Sequence, residues 1–502
     1  MAEKTRNSVQ SVMEEVSEGV PVVPASGSDF VPLQDGFSLS PSFSELENAE
    51  LSGSIGKSKS TLGFEEPTAS SDSYVKHSGV EGTAPQADLY YKAGLGATST
   101  IAELSTSGTS TTTALKYADA STVIRGQAFL VKDATNGYSI RNATATHATD
   151  IPLNVALAVA PATATATGNP VVYLPGENHP SLTLWNYRGN GGAVEAIAGA
   201  RISDLTVNIV AGEFINSSVS MTGTQYYFNP LTVTSSNKYI DVTDDGGTIV
   251  VTLTEATYKD PHELAAHIEA VAGAALLASG GDDFSCSYSD STGKYTMATT
   301  TGTVLSFLWK TGTHGADNAD DHVGSLIGYA DAADDTASLS YLADTAIDLS
   351  SPYTPSFDTS NPLVAKSNEA LFGDSTECLS TNTATFSLSN GLTNILDICS
   401  TSGKSGSIVG ERTVTVELAG SYNRYDVDPF KRFREGTTTQ FMYNAGVKSG
   451  GNWVAGSSVN FYTPEATVTS FELVDNDGLV DYNITLTAFV DSGKGEFYIN
   501  FL

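Results

Sequence analysis

The segment from Val474 to Leu502, VDNDGLVDYNITLTAFVDSGKGEFYINFL, limits the possible folds of this chain more than any other. Asn476-Asp477-Gly478 is a tight-turn tripeptide, because Gly tolerates positive φ and Asn and Asp bond their own backbone. Leu479, Tyr482, Ile484, Leu486 and Ala488 follow in near-alternation with polar neighbours. After Gly493-Lys494-Gly495, a second turn signal, Phe497, Ile499 and Phe501 repeat the pattern. A period of two assigns strands with one buried face, so the spacing predicts a hairpin built into a sheet rather than a loose tail.

Composition extends that reading to the rest of the chain. With 502 residues, 40% of them hydrophobic, there is room for two to four domains and a sizeable core. Abundant Thr, Ser, Gly and Val argue for short strands joined by Gly/Asn/Asp turns, hence a mainly β protein. No apolar run reaches the roughly 18 residues that span a bilayer, and Ala2-Glu3-Lys4-Thr5-Arg6 leads into no apolar segment. The expectation is a soluble protein with no secretory route and no membrane partner. Cys286, Cys378 and Cys399 are sparse and widely spaced, which fits reduced, buried thiols; a Cys378–Cys399 disulfide stays open.

Motifs that suggest chemistry fail on spacing. Gly53-Ser-Ile-Gly56-Lys57-Ser58 lacks the Gly that a phosphate-binding loop needs five positions before Gly56, where Leu51 stands. Ser402-Gly403-Lys404-Ser405 fails likewise at Ile398. His262 and His267 are five apart, about 140° around a helix, and so cannot share a metal as a four-apart pair does. Asp241, Asp244 and Asp245 before Gly246, and Asp475 with Asp477, lack the distal Glu of a calcium loop and read as turns. There is no Gly-x-Ser-x-Gly, and seven histidines are too scattered to single out a base. The sequence therefore predicts no catalytic, cofactor-binding or metal residues and no enzyme.

The formal net charge of −32 repels phosphate, so nucleic acid is not expected as a bound ligand. The nearest approach to a basic cluster is Lys431-Arg432-Phe433-Arg434. Residues 231–345 hold 17 Asp/Glu against 4 Lys/Arg and read as a separate α+β module. Asp260-Pro261 caps a helix with Leu264, Ile268, Val271, Ala275 and Leu276 at helical spacing, and Ser291-Thr292-Gly293-Lys294 turns a following hairpin. Such a unit can fold as an insertion in a surface loop of another domain. Prolines 21, 24, 32 and 41 suit an extended N-terminal arm, and PATATATGNP (161–170) reads as an exposed loop.

The C-terminal pattern is similar to the end of the major tail tube proteins of long-tailed bacteriophages. ELENAELSGSIGKSKSTLGFE (45–65), HSGVEGTAPQADLYYKAGLGA (77–97) with Leu89, Tyr90 and Leu95, ERTVTVELAGSY (411–422) and NFYTPEATVTSFELVDNDG (460–478) resemble that family in its own order. The acidic module resembles an accessory domain that recurs in phage tail proteins. On this reading residues 1–42 are the arm, 43–221 and 351–502 are two parts of a tail-tube β-sandwich or barrel with a short helix, and 222–350 are the inserted surface domain. The resemblance implies a virion protein, made in the host cytoplasm, that forms hexameric rings stacked into the tube of a long, flexible tail. Its implied partners are further copies of itself, the tail terminator, the tail tip or baseplate, the tape measure protein during assembly, and DNA sliding through an acidic lumen without specific binding. Two other readings remain at this point: a virion- or cell-surface binding module, and, more remotely, a secreted β-rich hydrolase.

Overall fold

The computed structural model describes residues 5–34, 37–50, 57, 59–189, 191–336, 338–423, 427–490 and 495–502. Strands dominate, as composition requires, and the chain divides into two compact units. The larger comprises Gln10–Leu184, Ala198–Gln225 and Tyr353–Leu502. The smaller comprises Tyr226–Pro352 with Trp185–Ile197 and the residues up to Val9.

The elements that build the larger unit begin with β1 (Val9–Glu14), β2 (Ser38–Ser40), β3 (Phe43–Leu46), β4 (Thr61–Glu65) and β5 (Thr68–Tyr74). Helix α1 (Asp88–Leu95), β6 (Gly96–Thr100), β7 (Val171–Pro175), β8 (Ala193–Val210, of which the part from Ala198 belongs to this unit) and β9 (Asn216–Thr222) follow. Beyond the smaller unit, whose helix is α2 (Pro261–Ala278), come β10 (Glu369–Phe372), β11 (Thr383–Leu396) and β12 (Lys404–Ser421). The chain closes with α3 (Asp428–Glu435), β13 (Thr438–Ser449), β14 (Asn452–Asn476), β15 (Leu479–Ala488) and β16 (Tyr498–Phe501).

Strand β14 organises the unit because it is long enough to serve two sheets. Its first half lies between β13 and β16, and β16 continues through β7 to β6 while β13 continues to β10. Its second half pairs with β15, and the ladder runs on through β12, β11, β8, β9 and β5 to β2. Every one of these pairings is antiparallel, so each strand can present one face to a core and one to solvent. Phe386 on β11 meets Phe441 on β13 at 5.7 Å, Phe461 on β14 at 5.6 Å and Phe497 at 5.3 Å between ring centroids. The sheets thus face each other across an aromatic core, while no closed barrel forms among the described residues.

This arrangement corrects the C-terminal hairpin. Asn476-Asp477-Gly478 does turn the chain, with φ of 50° at Asp477 and 84° at Gly478 and the Gly478 amide donating to Asp475 Oδ1 at 2.8 Å. The turn joins β14 to β15, however, and β16 pairs with β7 and β14 instead of β15. Alternation marks both strands but cannot choose their neighbours, and β14 has length enough to hold β15 and β16 end to end on one edge. The second turn signal, Gly493-Lys494, lies outside the described residues. PATATATGNP is also more than an exposed loop: Thr167 is buried, and its amide and hydroxyl both donate to the Leu104 carbonyl.

In the smaller unit, Asp260 caps α2 by accepting from the Glu263 amide at 2.9 Å, with Pro261 in the first turn. Leu264, Ile268 and Leu276 are buried, and Val271 and Ala275 are partly so. They pack with Phe307, Trp309, Tyr295 and Tyr329 in a single core. The hairpin of Ser285–Ser289 and Lys294–Ala298 turns at Gly293, φ 70°. Trp185–Ile197, separated from it in the chain by Ala198–Gln225, joins this unit, where Glu195 pairs with Arg188 and accepts from the Tyr226 hydroxyl at 2.6 Å.

Candidate assembly surface

Apolar side chains exposed at the ends of paired strands are the most unusual surface feature of the larger unit. The β14–β15 ladder continues to Asn476↔Leu479, and on β14 Glu472, Leu473, Asp475 and Asn476 are exposed there although Tyr482 and Ile484 of β15 stay buried opposite. Leu473, Leu479 and Val480 are each more than half exposed. Leu396 and Ile398, at the far end of β11, and Ile408 on β12 are exposed too. At that end of β12, Lys404 and Ser407 are buried, so the exposed apolar groups lie on one face of it. Scattered apolar residues are ordinary on protein surfaces, but larger groups of them mark contact surfaces.

Helix α3 adds a different chemistry. Pro429 near its start and Gly436 at its left-handed end, φ 62°, set its length. Phe430 rests on Phe471 of β14 at 5.8 Å, and Arg432 Nε donates to Asp428 Oδ2 at 2.7 Å. Val427, Phe430 and Phe433 are exposed beside Lys431 and Arg434. This is the Lys431–Arg434 cluster of the sequence, now a small basic and aromatic surface.

Two polar networks hold the strands in place. Asn444, Asn460 and Asn500 on the neighbouring strands β13, β14 and β16, and Asn142 from a separate two-stranded sheet, are fully buried and linked side chain to side chain. Asn444 also donates to Glu369 Oε2 at 2.8 Å, and Glu369 faces Arg141 at 3.3 Å. The N-terminal segment is fixed by its own carboxylates. Glu15 accepts from Thr183 Oγ1 at 2.7 Å, the Gly199 amide at 2.8 Å and the Gly19 amide at 2.9 Å, and burial still raises its pKa above the usual Glu range. Glu18 receives Arg201 at 2.5 Å and the Ser407 amide at 2.7 Å. Pro-rich composition concealed this docking, since buried acceptors leave no periodic signal.

The residues singled out in sequence occupy structural positions. Of Gly53–Ser58 only Lys57 is described, exposed and 3.0 Å from Glu47. Lys404 is buried and donates to the Gly223 carbonyl at 3.0 Å, 4.0 Å from Glu66, and desolvation lowers its pKa. His262 faces Asp290 at 2.9 Å, whereas His267 accepts from the Thr254 amide at 3.2 Å and leans on Tyr258. Asp241 accepts from the His314 amide at 2.6 Å, Asp244 from the Gly246 amide at 2.9 Å, and Asp245 from Thr303. Asp475 accepts within its own turn. Cys286 is buried, and Cys378 and Cys399 are exposed free thiols, which corrects the expectation that all three are buried.

Asp320, His322 and Asp331 come close enough to share a cation, a grouping the sequence reading missed. The buried His322 ring argues against it. Its Nδ1 accepts from the Gly324 amide at 3.1 Å, which in the neutral ring leaves the proton on Nε2, the nitrogen nearer Asp320. A cavity of about 500 Å³ beside α3 is lined by Asp374, Glu377, Cys378, Arg432 and Tyr482, with no histidine to activate the thiol. A wider groove of about 850 Å³ holds His147 and Glu177, and there the Arg412–Glu496 pair closes at 3.0 Å. Among the described residues no helix is long and apolar enough to cross a membrane.

Fold and surface together define a mainly β protein with large antiparallel sheets and exposed apolar side chains at the ends of its ladders. No family model and no curated protein matches the sequence. A solved structure described as "Virion of native gene transfer agent (GTA) particle" is similar over 24% of this chain and 92% of that one, at 14% identity and a TM-score of 0.19. A likeness of that size sets neither the fold nor the role of the whole chain.

Proposed function

We propose that this chain is a virion structural protein, the tail tube subunit of a long-tailed phage, whose copies form hexameric rings stacked into a channel for DNA. The family resemblance of its sequence blocks suggests the role. The observation that carries it physically is the open sheet: the ladders end at β2 and β6, each paired with one strand only among the described residues, whereas the end strand β10 is bordered by Leu379, whose amide donates to the Ala370 carbonyl at 2.8 Å. Open edges are an aggregation liability unless something covers them, and joining edges between symmetric copies removes them. The acidic composition would let DNA slide without adhering, and the acidic smaller unit would stand on the outside of the tube. Terminator, tip and tape measure proteins would be its other partners, and no enzymatic step is part of this role.

Negative-stain electron microscopy of the concentrated full chain tests the reading. Hollow tubes of uniform bore with regularly spaced outer knobs are expected. Particles that never elongate, even with tip proteins added, would count against it.

A further inference from the structure

We infer that α3 of one copy docks on the β3–β4 hairpin of a second copy of this chain. The inference rests on the proposal that copies assemble, and it names the two surfaces that meet. Strands β3 and β4 form a two-stranded sheet of their own, outside the large ladders. An isolated two-stranded hairpin is marginal in water, and this one leaves Phe43, Leu46 and Leu62 exposed at 44%, 59% and 66%. Its base is tied down, with the Glu65 amide donating to the Ser402 carbonyl at 2.8 Å, so the apolar groups are held outward rather than folded back.

Glu45 on β3 and Glu47 just after it are both exposed, Glu47 lying 3.0 Å from Lys57. Helix α3 presents the complementary surface: Val427, Phe430 and Phe433 exposed at 60%, 46% and 39%, beside Lys431 and Arg434, with Arg434 3.2 Å from Glu435 and Arg432 held by Asp428. In a chain of net charge −32, three cations within four residues are the one dense basic run. Such a run is steered toward carboxylates, and copies of this chain supply them with apolar groups already displayed alongside. The two surfaces differ, so the contact is head to tail, the type that closes rings or continues stacks.

The experiment follows assembly of the full chain by sedimentation velocity at low and physiological salt, with thermal unfolding as a check on folding. K431E/R434E and E45K/E47K should each weaken assembly by about tenfold or more while the folded transition stays in place. Combining all four substitutions should restore it, since the charges are exchanged. Phe433→Ser should weaken assembly without the salt dependence. If wild type and both reversals assemble alike, the contact is overturned and the tube reading stands. Wild-type chain that remains monomeric at high concentration, also with tip proteins added, overturns both. Small closed oligomers that are lost in K431E/R434E and recovered in the fourfold variant support the contact and count against the tube. Duplex DNA binding by wild type that K431E/R434E abolishes without affecting assembly overturns the contact in favour of phosphate.

Discussion

Asn142 and Asn460, 318 positions apart, exchange two side-chain hydrogen bonds: Asn142 Nδ2 donates to Asn460 Oδ1 at 2.8 Å, and Asn460 Nδ2 donates back at 3.1 Å. Asn460 Oδ1 accepts also from Asn500 at 2.9 Å, and its Nδ2 donates to Asn444 at 2.7 Å. All four hydrogen-bonding positions of one buried amide are therefore filled by three other buried amides. Buried polar networks satisfied to this degree fix strand register, because a slip would leave several groups without partners in a low dielectric.

Asn460→Leu keeps the volume and removes the hub. The variant should lose on the order of 3 kcal/mol, because three amides lose a partner inside the core. Chemical denaturation of the full chain measures this, and a change under about 1 kcal/mol would show that the network adds little.

Two buried histidines predict an acid-sensitive larger unit. Desolvation lowers the pKa of His77, partly opposed by Asp358, and lowers that of His179, with Arg412 and Arg201 acting in the same direction. A folded pKa below the unfolded value of about 6.5 means that the unfolded chain binds more protons, so stability is present above that pH and is lost as pH falls through it. Unfolding free energy should drop between about pH 7.5 and pH 5.5, and the drop should shrink in His77→Gln. An equal drop in the variant would assign the effect to other groups.

Trp309 is fully buried, lies parallel to Phe307 at 5.4 Å and donates to Asp335 Oδ2 at 3.0 Å. Trp309→Ala should cost about 4 kcal/mol by opening a cavity and leaving Asp335 without its donor. Loss of near-ultraviolet ellipticity at a lowered transition temperature in the full chain is the expected signature.

Gly478 sits at φ 84° in the β14–β15 turn, where a β-branched residue is strained. Gly478→Val should destabilise the hairpin by about 1–2 kcal/mol, seen as faster amide exchange along Leu473–Val480. Unchanged exchange would mean that the turn does not set the ladder.

Local physics explains what could be read from the chain. Asp260-Pro261 and the helical spacing after it specify α2, since capping and amphipathicity act within a few residues. Asn476-Asp477-Gly478 specifies a turn because only certain side chains accept its backbone angles. The buried face of β15, Tyr482, Ile484, Leu486 and Ala488, follows from alternation. The smaller unit was legible as a strand–helix–hairpin pattern, but Trp185–Ile197 was not, because its place rests on contacts such as Glu195 with Tyr226.

The candidate surface was less legible than the strands that carry it. Lys431–Arg434 stood out by composition, whereas the exposure of Leu62, Leu473 and Ile408 did not, since a strand pattern looks the same whether or not a sheet covers it. The sequence by itself determined a mainly β chain, its principal turns and the capped helix, all set by interactions between near neighbours. Only the tertiary structure decided that β16 lies beside β7 and β14, that Lys404 is buried, and that four asparagines meet in the core. Those outcomes depend on side chains up to hundreds of residues apart, and a period of two marks faces without naming partners.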